Sequence, residues 1–467
     1  MQAPAKPKDP PFGNSGHLGD QITRKLCLLG ASVRAAAQSA QRAGIQVFAV
    51  DRFGDKDTLE VSDAYLRLPD LDADPQAFQS EFGSQLASWL HSMPFLVVGG
   101  IRGLERILNR LPLSNEKLSQ LRTAREMEDS GTLRNACLGT PMRFPESWGV
   151  GESGSANFQV SGNHSESNAY LFKQRDQCGG FGVNWVLPNP TRRPDPQLLS
   201  ELMQIHGPGI LQKWIPGRLL GSSFLSNGKE VALLGTYRGS FTRVGDRPFI
   251  YNGSSGPIFL EDPIQQQILS IGSKLVKETG YRGVFNLDWI MGTSSQPFLI
   301  EVNARWSGSL ELVERSWRSQ LLHAKVDVPF KSVMDWAVEA IAGAPLPAFL
   351  ARIQCSSNDG DMQKAAASSL SQSIHGISVQ QSLANTLAPD YFIKRIVFSR
   401  RDQLFDPQCL PEDLPPSATL HDIPVEPTSI KRGEPLCTLI IHKQGGAVKE
   451  ILQHYRYLVR CLSLGEW

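Results

Sequence analysis

The stretch Phe285-Asn286-Leu287-Asp288-Trp289-Ile290 alternates apolar and polar side chains, breaks at Gly292-Thr293-Ser294-Ser295, and resumes as Pro297-Phe298-Leu299-Ile300-Glu301-Val302-Asn303. Two period-two runs separated by a turn-forming tetrapeptide are the pattern of a β-hairpin. On the second strand Glu301 and Asn303 share a face, with Leu299 one step earlier on that face, because side chains repeat every two residues. Asp288 on the partner strand points into the same space. Two carboxylates and an amide oxygen are hard donors of the kind magnesium takes while keeping positions for water and phosphate oxygens. The same alternation also suits the solvated face of an edge hairpin, and the hairpin alone does not separate the two.

Two upstream segments bear on that choice. Lys173 ends the strand Tyr170-Leu171-Phe172-Lys173, and Gln177-Cys178-Gly179-Gly180-Phe181-Gly182 follows as a glycine-rich turn between strands. Glycines let backbone N–H groups approach phosphate oxygens, and a nearby lysine offsets their charge. The turn opens no helix of the Walker or dinucleotide kind, and an ordinary hairpin loop would look similar. Further on, Gln212-Lys213-Trp214-Ile215-Pro216-Gly217 is a strand ending in a Pro-Gly turn. Its backbone suits the edge of a base, with Trp214 and Ile215 as an apolar wall; the bland alternative is a plain strand.

The rest of the chain supplies a frame. A length of 467 residues predicts two to four domains. The apolar run 26–30, the turn Gly30-Ala31-Ser32, the Ala-rich helical stretch 33–43 and the second run 45–50 form a βαβ unit. With a further strand over 95–98 and a helix over 102–111, residues 20–115 are expected to form a doubly wound α/β domain. Residues 1–19 are expected to be a disordered tail, 149–168 a loop, and 342–373 a linker rich in Ala, Pro and Ser. Short strands over 169–173, 209–215, 221–225 and 230–238 predict one curved antiparallel sheet. Asp262-Pro263 predicts a helix start and Gly280 its end. Residues 374–467 are expected to be a separate β-rich module closed by an amphipathic helix over 448–462.

A net charge of +1 with 20% charged residues gives no electrostatic reason to expect nucleic acid or an anionic membrane. Seven dispersed cysteines with no C-x-x-C pair fit reduced thiols in a cytoplasm rather than a disulfide framework or zinc site. Cys178 has a steric explanation as a small loop residue, and His164, His206 and His323 are expected at the surface or in packing.

The order of these segments, from Lys173 and the glycine-rich turn through Q-K-W-I-P-G and N-L-D-W-I to L-I-E-V-N-A-R-W-S-G-S, resembles the ATP-grasp superfamily. The resemblance runs over roughly 115–330, and the preceding βαβ domain resembles a pre-ATP-grasp domain. The expected fold is therefore α/β and α+β, with a two-subdomain ATP-grasp clamp over 116–341. The resemblance implies ATP and Mg2+ as cofactors, with Asp288, Glu301 and Asn303 as metal ligands. It implies that Lys173, Gly179, Gly180 and Gly182 hold phosphates, that Gln212, Lys213, Trp214, Ile215 and Leu299 contact the nucleotide, and that Lys173 and Arg305 serve catalysis. The 13-residue step from Asp288 to Glu301 is its most specific element. Leu219 stands near the place where many members carry a ribose-binding glutamate, and Asn286 stands where some carry arginine.

The implied activity is activation of a carboxylate as an acyl phosphate and its joining to an amine, with a homodimer left open. The N-terminal L-L-G-A-S-V-R-A-A-A-Q-S-A and A-V-D-R-F-G-D resemble ATP-grasp proteins associated with tetrahydromethanopterin- and methanofuran-type one-carbon cofactor genes. The substrates so implied are glutamate, or a similar amino acid, and an aromatic amine. The ending around Asp422-Ile423-Pro424 and Pro435-Leu436-Cys437-Thr438 resembles that of biotin carboxylase relatives, which implies a carboxylating alternative. A nucleotide-binding protein without turnover is a third.

Overall fold

The computed structural model describes residues 24–69, 81–101, 108, 111–151, 169–175, 177–186, 194–324, 330–348, 350, 352–354, 390–410, 414–443 and 459. The expected tail over 1–19, most of the loop over 149–168, nearly all of the helix over 102–111, the linker beyond 354 and the closing helix other than Val459 lie outside the described residues.

Four strands, β1 (Lys25–Gly30), β2 (Gln46–Asp51), β3 (Ala64–Arg67) and β4 (Phe95–Val98), form a parallel sheet in the order β3-β2-β1-β4. In β1, K-L-C-L-L-G is buried at every position after Lys25, as a strand covered on both faces requires. The helix Arg34–Arg42 packs Ala36, Ala37 and Ala40 into the core. The doubly wound pattern expected from the sequence is present.

A second, antiparallel sheet holds β5 (Ser147–Val150), β6 (Tyr170–Gln174), β7 (Val183–Val186) and β8 (Gly209–Lys213) in the order β5-β8-β6-β7. A large antiparallel sheet contains β9 (Gly217–Asn227), β10 (Glu230–Val244), β11 (Arg247–Gly256), β12 (Arg282–Gly292) and β13 (Pro297–Asn303), and β14 (Arg352–Gln354) pairs with β10. The strands near 170 and 210 thus belong to one sheet and those near 221 and 230 to another. A strand's alternation reports its faces and not its neighbours, so the sequence could not divide them.

The C-terminal strands do not stand apart. After β15 (Tyr391–Phe398) come β16 (Gln403–Phe405), β17 (Ala418–His421), β18 (Thr428–Ile430) and β19 (Pro435–Lys443). β15 pairs with β11 through Ser255 opposite Ile393 and Gly256 opposite Phe392, and β19 and β17 extend the same sheet.

The helix Asp262–Thr279 buries Ile268, Leu269, Ile271, Leu275 and Val276 and ends at Gly280 in the left-handed conformation. Its cap position is Glu261, one residue before the expected Asp262, because Asp262 already has helical conformation. One hydrophobic core joins Leu28, Val33 and Val98 of the parallel-sheet domain to Trp306, Trp317, Trp336 and Phe392. No helix among the described residues is long and apolar enough to cross a membrane.

Candidate active site

The hairpin β12–β13 sets Asn286 opposite Asn303 and Asp288 opposite Glu301. Directly opposed like charges repel, so this pair needs compensation from outside the hairpin. Above it the register shifts, with Trp289 opposite Leu299, which leaves Ile300 as an extra residue. That bulge overturns one expectation. Leu299 does not share the face of Glu301: it is fully buried in the core with Trp289 and Leu287, while Ile300 lines the cleft.

Asp288 accepts hydrogen bonds from the amides of Asn286 (2.6 Å) and Asn303 (2.9 Å). Burial, reinforced by the charge of Glu301 and opposed by Arg305 and Lys173, pushes its carboxyl up to about 7. Lys173 reaches in from β6, with its Nζ 4.0 Å from Glu301 Oε2. Burial lowers the Lys173 ammonium, against the pull of Glu301 and Asp288. Arg305 donates to the Asn303 side-chain oxygen and to Glu128 Oε1, the latter at 2.8 Å.

Glu128 is a site residue the sequence reading missed. It ends the helix Asn115–Glu128, and its Oε1 also accepts the Ala304 N–H at 2.8 Å. Burial raises its carboxyl while Arg305 lowers it. A glutamate in the last turn of a helix opposes the helix dipole, and this was the one available signal that Glu128 is held by something else.

The glycine-rich turn is pressed onto β11. Gly179 and Gly180 have positive φ, and a Cβ on Gly180 would lie 1.7 Å from the Phe249 carbonyl oxygen. Tyr251 N–H donates to Gly179 O at 2.9 Å. Both glycines line the cleft, whereas Gly182 sits behind the turn, where a Cβ would meet Gln177. Gly182 is thus placed to keep the turn narrow rather than to face a phosphate.

At the strand end, the Gln212 side chain turns inward to Ser147 Oγ (3.2 Å), and the N–H groups of Lys213 and Trp214 are taken by Glu146 and Ala169. Trp214 belongs to an aromatic wall with Trp185 (centroids 5.0 Å apart) and Phe249 (5.6 Å). The sequence reading missed Trp185 and Phe249, which come from different sheets. One cavity of about 2980 Å³ contains Lys173, Gly179, Gly180, Gln212, Lys213, Trp214, Ile215, Asp288, Glu301, Asn303 and Arg305 in its lining. A pocket for one drug-sized ligand spans about 300–1,000 Å³, so the cleft has room for a nucleotide and a second substrate.

The donor set suits a hard divalent cation. No three His, Cys, Asp or Glu side chains among the described residues are grouped to hold a metal. Two opposed carboxylates whose repulsion a dication would relieve match magnesium, which fills its remaining positions with water and phosphate oxygens. To join them as a ligand, Asn303 would turn its amide, since its oxygen now faces Arg305 and its nitrogen Asp288.

Residues 132–309 match the family model of the ATP-grasp domain. The chain is similar in structure to N5-carboxyaminoimidazole synthetase from Staphylococcus aureus, at 12% identity and a TM-score of 0.53, covering 94% of this chain and 99% of that one. It is also similar to carboxyaminoimidazole ribonucleotide synthase from Aspergillus clavatus complexed with ATP (16%, 94% and 98% covered, TM-score 0.54). A third is L-amino acid ligase from Bacillus licheniformis (14%, 93% and 97% covered, TM-score 0.55). No curated protein matches the chain. The chain therefore has a mixed α/β ATP-grasp fold, with a parallel-sheet N-terminal domain and large antiparallel sheets.

Proposed function

We propose that this protein is an ATP- and magnesium-dependent, ADP-forming ligase that activates a carboxylate as an acyl phosphate and joins it to an amine. The observation that carries the reading is the opposed pair Asp288 and Glu301 facing Lys173, with Arg305 alongside. Magnesium bound there would neutralise charge on the phosphates. In this reading Lys173 holds the phosphates, and the turn at Gly179-Gly180 covers them and excludes water. Glu128 fixes the Arg305 guanidinium, which in this reading stabilises the phosphoryl group in transfer. The substrate carboxylate oxygen attacks the γ-phosphorus and ADP leaves. The amine nitrogen then attacks the acyl carbon, the C–O bond to phosphate breaks, and phosphate and the amine proton depart.

In its finer form the reading takes glutamate, or a similar amino acid, as the carboxylate and an aromatic amine as the acceptor, in assembly of a one-carbon cofactor. The name of the L-amino acid ligase neighbour supports an amino acid substrate. A second reading, carboxylation of an amine with bicarbonate, is favoured by the carboxyaminoimidazole synthetase names and by similarity extending over 94% of the chain. Release of ADP from magnesium-ATP across a panel of carboxylates and amines tests both. Dependence on a carboxylate and amine together supports the first, and dependence on bicarbonate the second. Tight nucleotide binding with no stimulated release would instead support a binding protein without turnover, to which Leu219 at the cleft wall lends weight.

A further inference from the structure

We propose that Asp55, at the carboxyl edge of the N-terminal parallel sheet, is the recognition group of a subsite for a positively charged primary amine with an apolar body. This rests on the ligase reading only in identifying that amine as the second substrate.

The position is one where open α/β sheets hold ligands, in the crevice outside the carboxyl ends of their strands. In the order β3-β2-β1-β4, the turn after β1 carries Ser32, the turn after β2 carries Gly54 and Asp55, and the turn after β4 carries Gly99 and Gly100. All five residues line the same cavity as Asp288 and Arg305.

Asp55 itself behaves unusually. It occupies the cap position of the short helix Lys56–Leu59 yet makes no side-chain cap hydrogen bond. The N–H groups of Thr58 and Leu59 go instead to its main-chain oxygen, each at 3.0 Å. An aspartate at a cap normally satisfies such a donor with its carboxylate. This residue is only 5% exposed and lines the cavity, and its carboxylate receives no hydrogen bond or ion pair from any described residue.

Its neighbours are held more fully, although Asp57 Oδ1 is itself buried without a hydrogen-bond partner among the described residues. Asp51 accepts the N–H groups of Val33, Phe53 and Gly54 at 2.7–2.8 Å. Asp422 receives Arg34 Nε at 3.0 Å, and Asp57 accepts the Asp422 N–H and lies 3.4 Å from His421 Nδ1. Arg34, the cation that acts on Asp55, has its guanidinium fixed by Glu311 and Asp422. Tyr65 and Cys437 also feel the Asp55 charge, and neither can donate a positive one.

Burial, then the charges of Asp422, Asp51 and Asp57, push the Asp55 carboxyl up to about 8, against the effect of Arg34. At neutral pH it therefore holds a proton until a cation arrives. An ammonium would restore the ionised form, a neutral alcohol would not, and an anion would meet four carboxyl groups. Apolar side chains lie close by in the chain: Phe53 precedes Asp55 by two residues, and Val425 comes two after Ile423, whose carbonyl accepts the Lys56 N–H. Phe53 and Val425 are 43% and 58% exposed and line the cavity.

The test uses the whole protein without nucleotide, so its outcome is separate from any failure of ADP formation. Benzylamine, phenethylamine and tyramine, with 2-phenylethanol as the uncharged control, are titrated calorimetrically at pH 7 in two buffers of different ionisation enthalpy. The expected result is binding of at least one amine with release of about one proton, and no binding of the alcohol. Asp55→Asn should keep its thermal midpoint, bind that amine at least tenfold more weakly and release no proton. Amine binding without proton release, unchanged affinity in the variant, or no binding by any amine of the panel would each overturn the subsite. The proton release is measured on the native chain, so the idea stays testable even if the variant does not fold.

Discussion

Two clusters of charged side chains lie in this molecule, and they are built on opposite plans. At the junction of the parallel-sheet domain with the large sheet, Arg34 meets Glu311 and Asp422, and Lys394 adds a second cation 2.7 Å from Glu311. There burial opposes the charges, but the partners prevail: Arg34 is held well above its ordinary range, Glu311 well below it, and Asp422 below it. At the hairpin, burial and a like charge instead push Asp288 upward, while burial lowers Lys173. The first cluster is complete within the chain. The second leaves an electrostatic deficit that a bound cation and its phosphates would fill, and perturbed groups in a cleft are where chemistry is expected.

The largest effect that would sharpen this contrast comes from the junction. Removing one partner of a buried pair costs about 3–5 kcal/mol because the other charge is stranded, so Glu311→Ala should lower stability by that order in a denaturant titration. Asp288→Asn, which relieves a repulsion, should leave stability unchanged or raise it. A loss in Asp288→Asn as large as that in Glu311→Ala would erase the distinction. Next is turnover: Glu301→Gln should fold normally and lose about 10²- to 10³-fold in magnesium-dependent ADP formation, the scale seen when a transition-state electrostatic contact is removed. Normal turnover in that variant would remove the hairpin from the mechanism.

A smaller effect is expected at the clamp. Gly180→Ala puts a methyl group against the Phe249 carbonyl and strains a positive φ. The turn should lift, weakening ATP binding about tenfold, or about 1.4 kcal/mol, as read by nucleotide titration. An unaltered affinity would mean that the closed turn does not serve the nucleotide.

The smallest effect is a pH slope of opposite sign in the two clusters. Glu311 and Asp422 titrate below their unfolded values, so the stability they give is present above the ordinary carboxylate range of about 4 and is lost as pH falls beneath it. Asp288 titrates above its unfolded value, so its contribution is greatest at low pH and declines as pH rises toward about 7. Thermal midpoints against pH should show a shallower acid limb in Glu311→Gln and a shallower neutral limb in Asp288→Asn.

Much of this contrast was legible from local pattern. The hairpin, the helix ending at Gly280 and the βαβ unit followed from period and turn residues, and the order of Lys173, the glycine turn and the hairpin carried the resemblance. What failed was non-local. Leu299 was misplaced because a single-residue bulge leaves no mark on alternation until the partner strand is known. Glu128 was missed because its contact with Arg305 spans 177 residues. The C-terminal strands read as a separate module because nothing in β15 announces that its neighbour is β11. The junction escaped notice altogether, since Arg34 and Glu311 come together only through tertiary packing.

If the proposed ligase reading holds, the hairpin's unbalanced carboxylates form a divalent cation site that nucleotide phosphates complete. Electron paramagnetic resonance titration of Mn2+, as a probe for Mg2+, into the protein with and without ADP reads out that site. ADP should tighten Mn2+ binding to the native chain, and Glu301→Gln and Asp288→Asn should each lose that site while Glu311→Gln keeps it. Equal Mn2+ affinity in the native chain and both hairpin variants would contradict it.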